Sequence, residues 1–123
     1  MVMKRVYIAA PFNQRDEAKR VREILFKNGM ISTSRWIDTH LSELDLLTRA
    51  DRIREALADL EDVRKAQELV YIGKGRSTSG GCDIELGYAL AEGMKVWFVG
   101  KPFSIFHDHP QITIVERAED VHA

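Results

Sequence analysis

The chain has 123 residues, 45% hydrophobic and 30% charged, which predicts a single ordinary globular domain over residues 1–123. A formal net charge of −1 argues against nucleic acid as a partner, and the one cysteine, Cys82, excludes an intramolecular disulfide and a multi-cysteine zinc site. Because the sequence shows neither a signal peptide nor an apolar run of membrane-spanning length, we expect a cytoplasmic protein without a membrane partner.

The first half of the chain alternates apolar runs with amphipathic segments. Residues 6–10 are predicted to form a short buried strand that Pro11 ends, and residues 15–27 an amphipathic helix that Asn28 and Gly29 end. A second strand is predicted over residues 30–33, followed by a loop over residues 34–38. A capping-box pattern at residues 42–45 predicts a helix from there to residue 65, with a break near Ala58 or Asp59.

The second half continues the alternation. Strands are predicted over residues 69–72, 96–99 and 112–115, with a helix over residues 84–92 that Gly93 ends. The tail, residues 116–123, is polar and is predicted to be frayed.

Several of these strands are continuous apolar runs, which is typical of a parallel sheet covered on both faces. The predicted fold class is therefore α/β, with a parallel sheet of about five strands. Such sheets bind ligands at the carboxyl ends of their strands. The loops at residues 10–12, 34–38 and 79–81 all follow strands, so we expect them to meet at one rim.

A carboxylate near the start of a helix is the first candidate for chemistry. Glu85 follows a small-residue loop, Ser79, Gly80 and Gly81. A buried carboxylate at a ligand-binding rim can attack an electrophilic sugar carbon, although glutamate at a helix start often only complements the helix dipole. The loop can present amides and a hydroxyl to a phosphate, or serve as an ordinary helix cap.

Four further residues are candidates from their positions alone. Tyr7, in the first strand, is placed to reach Glu85, the alternative being a core tyrosine. Phe12 and Trp36 lie in loops and can sandwich a base, or else cap the core. Arg15 begins a helix and can bind a phosphate as a fork, or remain solvated.

Metal ligation is disfavoured. His107 and His109 flank Asp108, but no third ligand cluster lies nearby in sequence, and no cofactor is expected.

Three sequence runs together resemble the nucleoside 2-deoxyribosyltransferase-like family. They are YIAAPF at residues 7–12, SGGCDIELGYALA at residues 79–91 and KVWFVG at residues 95–100. The resemblance covers nearly the whole chain and implies a flavodoxin-like (Rossmann-like) three-layer fold that cleaves the N-glycosidic bond of a nucleoside or nucleotide. It implies that Glu85 attacks C1′ to form a covalent sugar–enzyme intermediate, and that Tyr7 orients Glu85.

The resemblance also separates two branches of that family. Deoxyribosyltransferases carry one aspartate six residues before the glutamate and another before the third strand, where this chain has Ser79 and Gln67. Ser79 is similar instead to the serine of the nucleoside 5′-monophosphate N-glycosidases that holds the 5′-phosphate. Phe12 and Arg15 are similar to that branch's base-stacking aromatic residue and phosphate-binding arginine.

Which acid protonates the leaving base stays open among Asp38, Asp62 and Asp83. The leading hypothesis is an N-glycosidase acting on a nucleoside 5′-monophosphate. The alternatives are a nucleoside 2-deoxyribosyltransferase and a non-catalytic nucleotide sensor. The resemblance further implies a homodimer or larger homo-oligomer.

Overall fold

The computed structural model describes residues 2–39, 48–75 and 80–123 of the chain. These residues form five β-strands and three α-helices: β1 (Lys4–Ala9), α1 (Arg15–Lys27), β2 (Met30–Ser32), α2 (Arg49–Lys65), β3 (Glu68–Ile72), α3 (Gly81–Ala91), β4 (Lys95–Val99) and β5 (Ile112–Val115). The predicted capping box at residues 42–45 lies outside the described residues, as does Ser79.

The five strands form one parallel sheet in the order β2-β1-β3-β4-β5. The chain moves one way from β1 to β2 and the other way from β2 through β3 to β5. Right-handed crossovers therefore place α1 on one face of the sheet, and α2 and α3 side by side on the other. The predicted α/β class with a parallel sheet of five strands is confirmed, and the flavodoxin-like arrangement with it.

The centre of the sheet supplies the core because helices cover both of its faces. All five residues of β3 are buried, and in β1 the run from Val6 to Ala9 is completely inaccessible to solvent. Fully burying a side chain such as Leu25 or Phe98 stabilises the fold by about 1.5–3 kcal/mol. Among the described residues, no helix combines the length and apolar character that a membrane crossing requires.

Helix α2 is continuous, so the predicted break near Ala58 or Asp59 is wrong. The helix contains neither glycine nor proline, and nothing else interrupts its backbone hydrogen bonds. It begins at a capping box in which the Thr48 hydroxyl accepts from the Asp51 backbone amide, and the Asp51 carboxylate accepts from the Thr48 amide.

The carboxyl-terminal tail is ordered against the body, and the prediction of a frayed tail is wrong. A short 3-10 helix over Ala118–Asp120 packs near α1, and Ala118 and Val121 are buried. The Asn28 side-chain amide donates to the Val121 carbonyl at 2.9 Å. Two small apolar side chains in an otherwise polar stretch are enough to hold the segment in place.

Candidate functional site

A small cleft of about 40 Å³ opens at the carboxyl end of β1, beside β3. This is the point where the strand order changes direction, and it is where open α/β sheets bind ligands. The loop after β1, the turn after β2 and the start of α3 meet there, as the sequence predicted. The cleft is lined by Ala10, Pro11, Phe12, Trp36, Asp59, Gly81, Cys82 and Glu85.

Glu85 and Tyr7 meet beside this cleft. The Tyr7 hydroxyl donates a hydrogen bond to Glu85 Oε2 from a fully buried position on β1. Burial raises the pKa of Glu85 to about 8, the Tyr7 hydrogen bond opposes that rise, and the charges of Asp59 and Asp62 add to it. The pKa of Tyr7 is raised, chiefly by burial and then by the Glu85 charge, so Tyr7 stays a proton donor. The structure thus brings this predicted pair together.

A left-handed glycine places Glu85 at the cleft. Gly80 caps α3 with φ of +75°, a conformation that costs a side chain-bearing residue roughly 1–2 kcal/mol. Gly81 then starts the helix, and Glu85 lies one turn further on. Gly81 lines the cleft, and Gly80 is not among the residues that line it.

Asp59 is the site residue that the sequence analysis missed. It lines the cleft from α2, and no hydrogen bond or ion pair to its carboxyl group is found among the described residues. Burial raises its pKa to about 6, with the charges of Glu55 and Asp62 adding to the rise and Arg35 opposing it. A signal was present, because Asp59 and Asp62 share a helix face with Val63 and Ala66, which are buried.

Two aromatic side chains form a corner of the cleft. Trp36 is only 3% exposed, and its Nε1 donates to the Ile8 carbonyl at 2.9 Å. Phe12 is 41% exposed and meets Trp36 edge to face, with ring centroids 5.9 Å apart and planes at 63°. A planar ring can therefore stack on the exposed Phe12, whereas the almost fully buried Trp36 contributes only the small part of its surface that lines the cleft.

The three acids suggested from the sequence do not line the cleft. Asp38 pairs with Arg22 at 2.9 Å, and its pKa is lowered by that contact. Asp83 accepts a hydrogen bond from the Tyr71 hydroxyl at 3.0 Å, and Asp62 is bound by Arg35. Each of these carboxylates already has a partner outside the cleft.

Two other residues near α1 and α3, Arg15 and Cys82, contribute little to the chemistry of the cleft. Arg15 is the first residue of α1, is partly buried and does not line the cleft. Cys82 does line it, but burial, together with the charges of Glu85 and Asp83, raises the pKa of its thiol to about 12. The thiol therefore stays protonated and is a poor nucleophile.

Solved structures with the same fold include two enzymes. One is a 2-deoxyribosyltransferase from Bacillus psychrosaccharolyticus, with a TM-score of 0.76 and 20% identity, covering 95% of this chain and 91% of that chain. Another is the CMP N-glycosidase BcmB of Clostridium botulinum, with a TM-score of 0.56 and 20% identity, covering 95% and 93%.

A third is a conserved protein from Enterococcus faecalis V583, with a TM-score of 0.56 and 21% identity, covering 79% of this chain and 63% of that chain. By sequence, the chain matches no family model and no curated protein. At these identities the likeness shows a shared fold.

Proposed function

We propose that this chain belongs to the nucleoside 2-deoxyribosyltransferase-like family and is an N-glycosidase that cleaves the base–sugar bond of a (deoxy)nucleoside 5′-monophosphate. The observation that carries the proposal is the Tyr7–Glu85 hydrogen bond at the edge of a cleft that also holds Asp59. The similarity to a CMP N-glycosidase and to a 2-deoxyribosyltransferase supports it.

In the first step the Glu85 carboxylate attacks C1′ of the sugar. A bond forms between a Glu85 oxygen and C1′ as the C1′–N bond to the base breaks, through an oxocarbenium-like transition state. The Tyr7 hydroxyl holds Glu85 and favours its ionised form, because a donated hydrogen bond stabilises a carboxylate.

Asp59 supplies the proton that the departing base needs. The raised pKa of Asp59, about 6, leaves part of the population protonated near neutral pH, and the reaction proceeds from the form in which Asp59 holds the proton and Glu85 is ionised. In the second step the Asp59 carboxylate takes a proton from water, the water oxygen bonds to C1′, and the Glu85 ester is released. The net products are the free base and the sugar 5-phosphate.

A 2-deoxyribosyltransferase is the second candidate, favoured by the TM-score of 0.76 to such an enzyme. Its first half-reaction is the same, but a second base takes the place of water. This chain has Ser79 at the position where the transferases carry an aspartate. A serine there favours binding of a phosphate, and therefore the hydrolase. We assign phosphate contacts to Ser79 and the Gly80–Gly81 amides, with Arg15 as a further contact.

The test is incubation of the purified protein with nucleoside and deoxynucleoside monophosphates, with and without a second free base. Release of base and sugar phosphate without an acceptor supports the hydrolase, and a new nucleotide formed only with the second base supports the transferase. We expect Glu85→Gln and Asp59→Asn each to lower kcat by about 10²–10⁴-fold, with Asp38→Asn as the unaffected control.

Mass spectrometry of the quenched reaction should find one sugar phosphate bound to the wild-type protein and none bound to Glu85→Gln. Tight binding of an intact nucleotide without turnover would instead indicate the sensor and overturn the proposal.

We also propose that the chain acts as a homodimer or larger homo-oligomer in the cytoplasm. The support for assembly is that three apolar side chains on the packed helices α2 and α3 are exposed, namely Ile53, Leu57 and Ile84, which we call the apolar strip. A contiguous exposed apolar surface is characteristic of protein–protein contacts.

A further inference from the structure

Asp62 lies on α2, one turn after Asp59. It is the most deeply buried acidic residue near the cleft, with 2% of its surface exposed. Its Oδ1 accepts from Arg35 Nε at 2.9 Å, and its Oδ2 accepts from the Arg35 backbone amide at 3.0 Å. One residue therefore satisfies both oxygens, through its side chain and its backbone together. Burying a carboxylate is costly without such partners, so the burial of Asp62 depends on its contacts with Arg35.

Arg35 begins the Trp36 turn, which is the short 3-10 helix Arg35–Asp38. The next residue is Trp36, the aromatic wall of the cleft, which is anchored to β1 through the Ile8 carbonyl. On the other side of this segment, the Thr33 hydroxyl donates to the Asp62 carbonyl at 2.8 Å. Helix α2 thus holds the chain directly before Trp36 at two points, both belonging to Asp62.

The same helix carries Asp59 one turn earlier, facing the cleft. The aromatic wall and the Asp59 carboxyl group are therefore joined through Asp62. A base bound in the corner that Phe12 and Trp36 form would meet Asp59 at a distance that this link determines.

We propose that Asp62 is a positioning residue, which binds Arg35 and so holds the Trp36 wall at the separation from Asp59 that base protonation requires. This inference rests on the proposed function, in which Asp59 protonates the base. A misplacement of about 1 Å at a reacting group can lower a rate about 10²-fold, so a link of this kind has a measurable effect.

The charge of Asp62 has a second consequence for Asp59. It adds to the rise in the Asp59 pKa, as Glu55 does, while Arg35 opposes that rise. Removing the Asp62 charge should therefore lower the Asp59 pKa, whether or not the geometry changes.

The experiment compares Asp62→Asn and Asp62→Ala with Asp38→Asn. Asp62→Asn keeps the shape and an acceptor for the Arg35 amide, whereas Asp62→Ala removes both. Asp38 is the matched control, because it lies on the same Trp36 turn as Arg35. Its partner is Arg22 on α1, and neither residue lines the cleft. Each variant is assayed with a nucleotide and with a nitrophenyl glycoside of the same sugar phosphate, whose leaving group needs no proton.

With the nucleotide, we expect Asp62→Ala to lower kcat/KM by roughly 10- to 100-fold and Asp62→Asn to lower it less. With the nitrophenyl glycoside the loss should nearly disappear, since the link acts on the proton transfer. Removing the Asp62 charge also lowers the pKa of Glu85, which favours the ionised nucleophile with both substrates and does not cause a loss. An equal loss on both substrates would show that Asp62 is merely structural and would overturn the proposal.

Carbon NMR of the free protein supplies a readout that does not depend on activity. We expect the Asp59 carboxyl carbon to titrate at lower pH in both Asp62 variants and the Trp36 indole signal to shift most in Asp62→Ala, with neither change in Asp38→Asn. If the wild type cleaves neither substrate, the proposed function fails, while these spectra still decide whether Asp62 holds the wall. A Trp36 indole signal that does not shift in Asp62→Ala would contradict the proposal that Asp62 holds the Trp36 wall.

Discussion

Glu85 and Asp59 are two carboxyl groups held in one cleft without a cationic partner among the residues that line it in the described structure. Burial is the main cause of the raised pKa in both, and each carboxylate is disfavoured further by negative charge nearby. Between about pH 6 and pH 8 the pair therefore tends to hold one proton. Because the pKa of Glu85 is the higher of the two, that proton lies mostly on Glu85 in the free protein, and the proposed reaction requires it to lie on Asp59 instead.

Glu85→Gln should stabilise the free protein at high pH. The folded-state pKa of Glu85, about 8, lies above its ordinary value of 4.5, so the stability that depends on its protonated form is complete below pH 4.5 and is lost as the pH rises through 8. Glutamine is neutral at every pH and can still accept from Tyr7. We expect the variant to match the wild type at pH 4 and to exceed its free energy of unfolding by up to about 5 kcal/mol at pH 9.

Denaturant unfolding at the two pH values measures this difference. Glu17→Gln is the opposite control, because the pKa of Glu17 is lowered by its hydrogen bond to Arg20, and its replacement should give no gain at pH 9. A Glu85→Gln variant that is less stable than the wild type at pH 9 would show that the ionised carboxylate is not disfavoured in the fold.

The residues differed in how well the sequence revealed them. Glu85 and Tyr7 were predicted because they lie in runs that resemble a family, and the geometry does bring their side chains together. Asp59 was missed because acidic residues on a charged helix look alike in sequence. Only the packing of α2 against the sheet turns Asp59 toward the cleft and Asp62 toward Arg35.

At the scale of elements, apolar periodicity predicted the helices and strands well. Helix α1 spans Arg15–Lys27, as predicted, because its amphipathic pattern and its Asn-Gly end agree. Helix α2 was harder to predict, because the side that faces the sheet contains acidic residues instead of a continuous apolar row. The prediction for the carboxyl-terminal tail was wrong because the order of a polar segment depends on distant partners. Here the partner is Asn28, directly after α1.

The capping box of α2 gives a test at this scale. The Thr48 hydroxyl satisfies the Asp51 amide at 3.2 Å, so Thr48→Ala should lower the free energy of unfolding by about 1 kcal/mol. Thr48→Ser keeps the oxygen and should lie near the wild type. Urea unfolding followed by circular dichroism makes the comparison. If the alanine and serine variants were equally stable, the cap would contribute nothing in solution.

At the scale of the whole molecule, exposed apolar side chains lie on α2 and α3 in the part of the chain that the structure describes. Helix α3 is apolar on most of its surface, yet Ile84 is 62% exposed, and the neighbouring Leu57 on α2 is 65% exposed. Gly87 and Ala91 continue the exposed face of α3 without charge. Apolar helices of this kind are normally buried on all sides, and a twofold contact between two copies would cover the strip.

Ile84→Lys should therefore convert the assembled protein to monomers. The lysine would place like charges opposite each other in a self-contact, which the apolar strip cannot accommodate, while the exposed position leaves the monomer fold unchanged. Light scattering after size-exclusion chromatography reports the mass, and circular dichroism reports the fold. Phe26→Lys is the control, because Phe26 is also apolar and is 56% exposed but lies on α1, on the opposite face of the sheet. A wild type that stays monomeric at high concentration, or a Phe26→Lys variant that dissociates equally, would contradict an interface on α3.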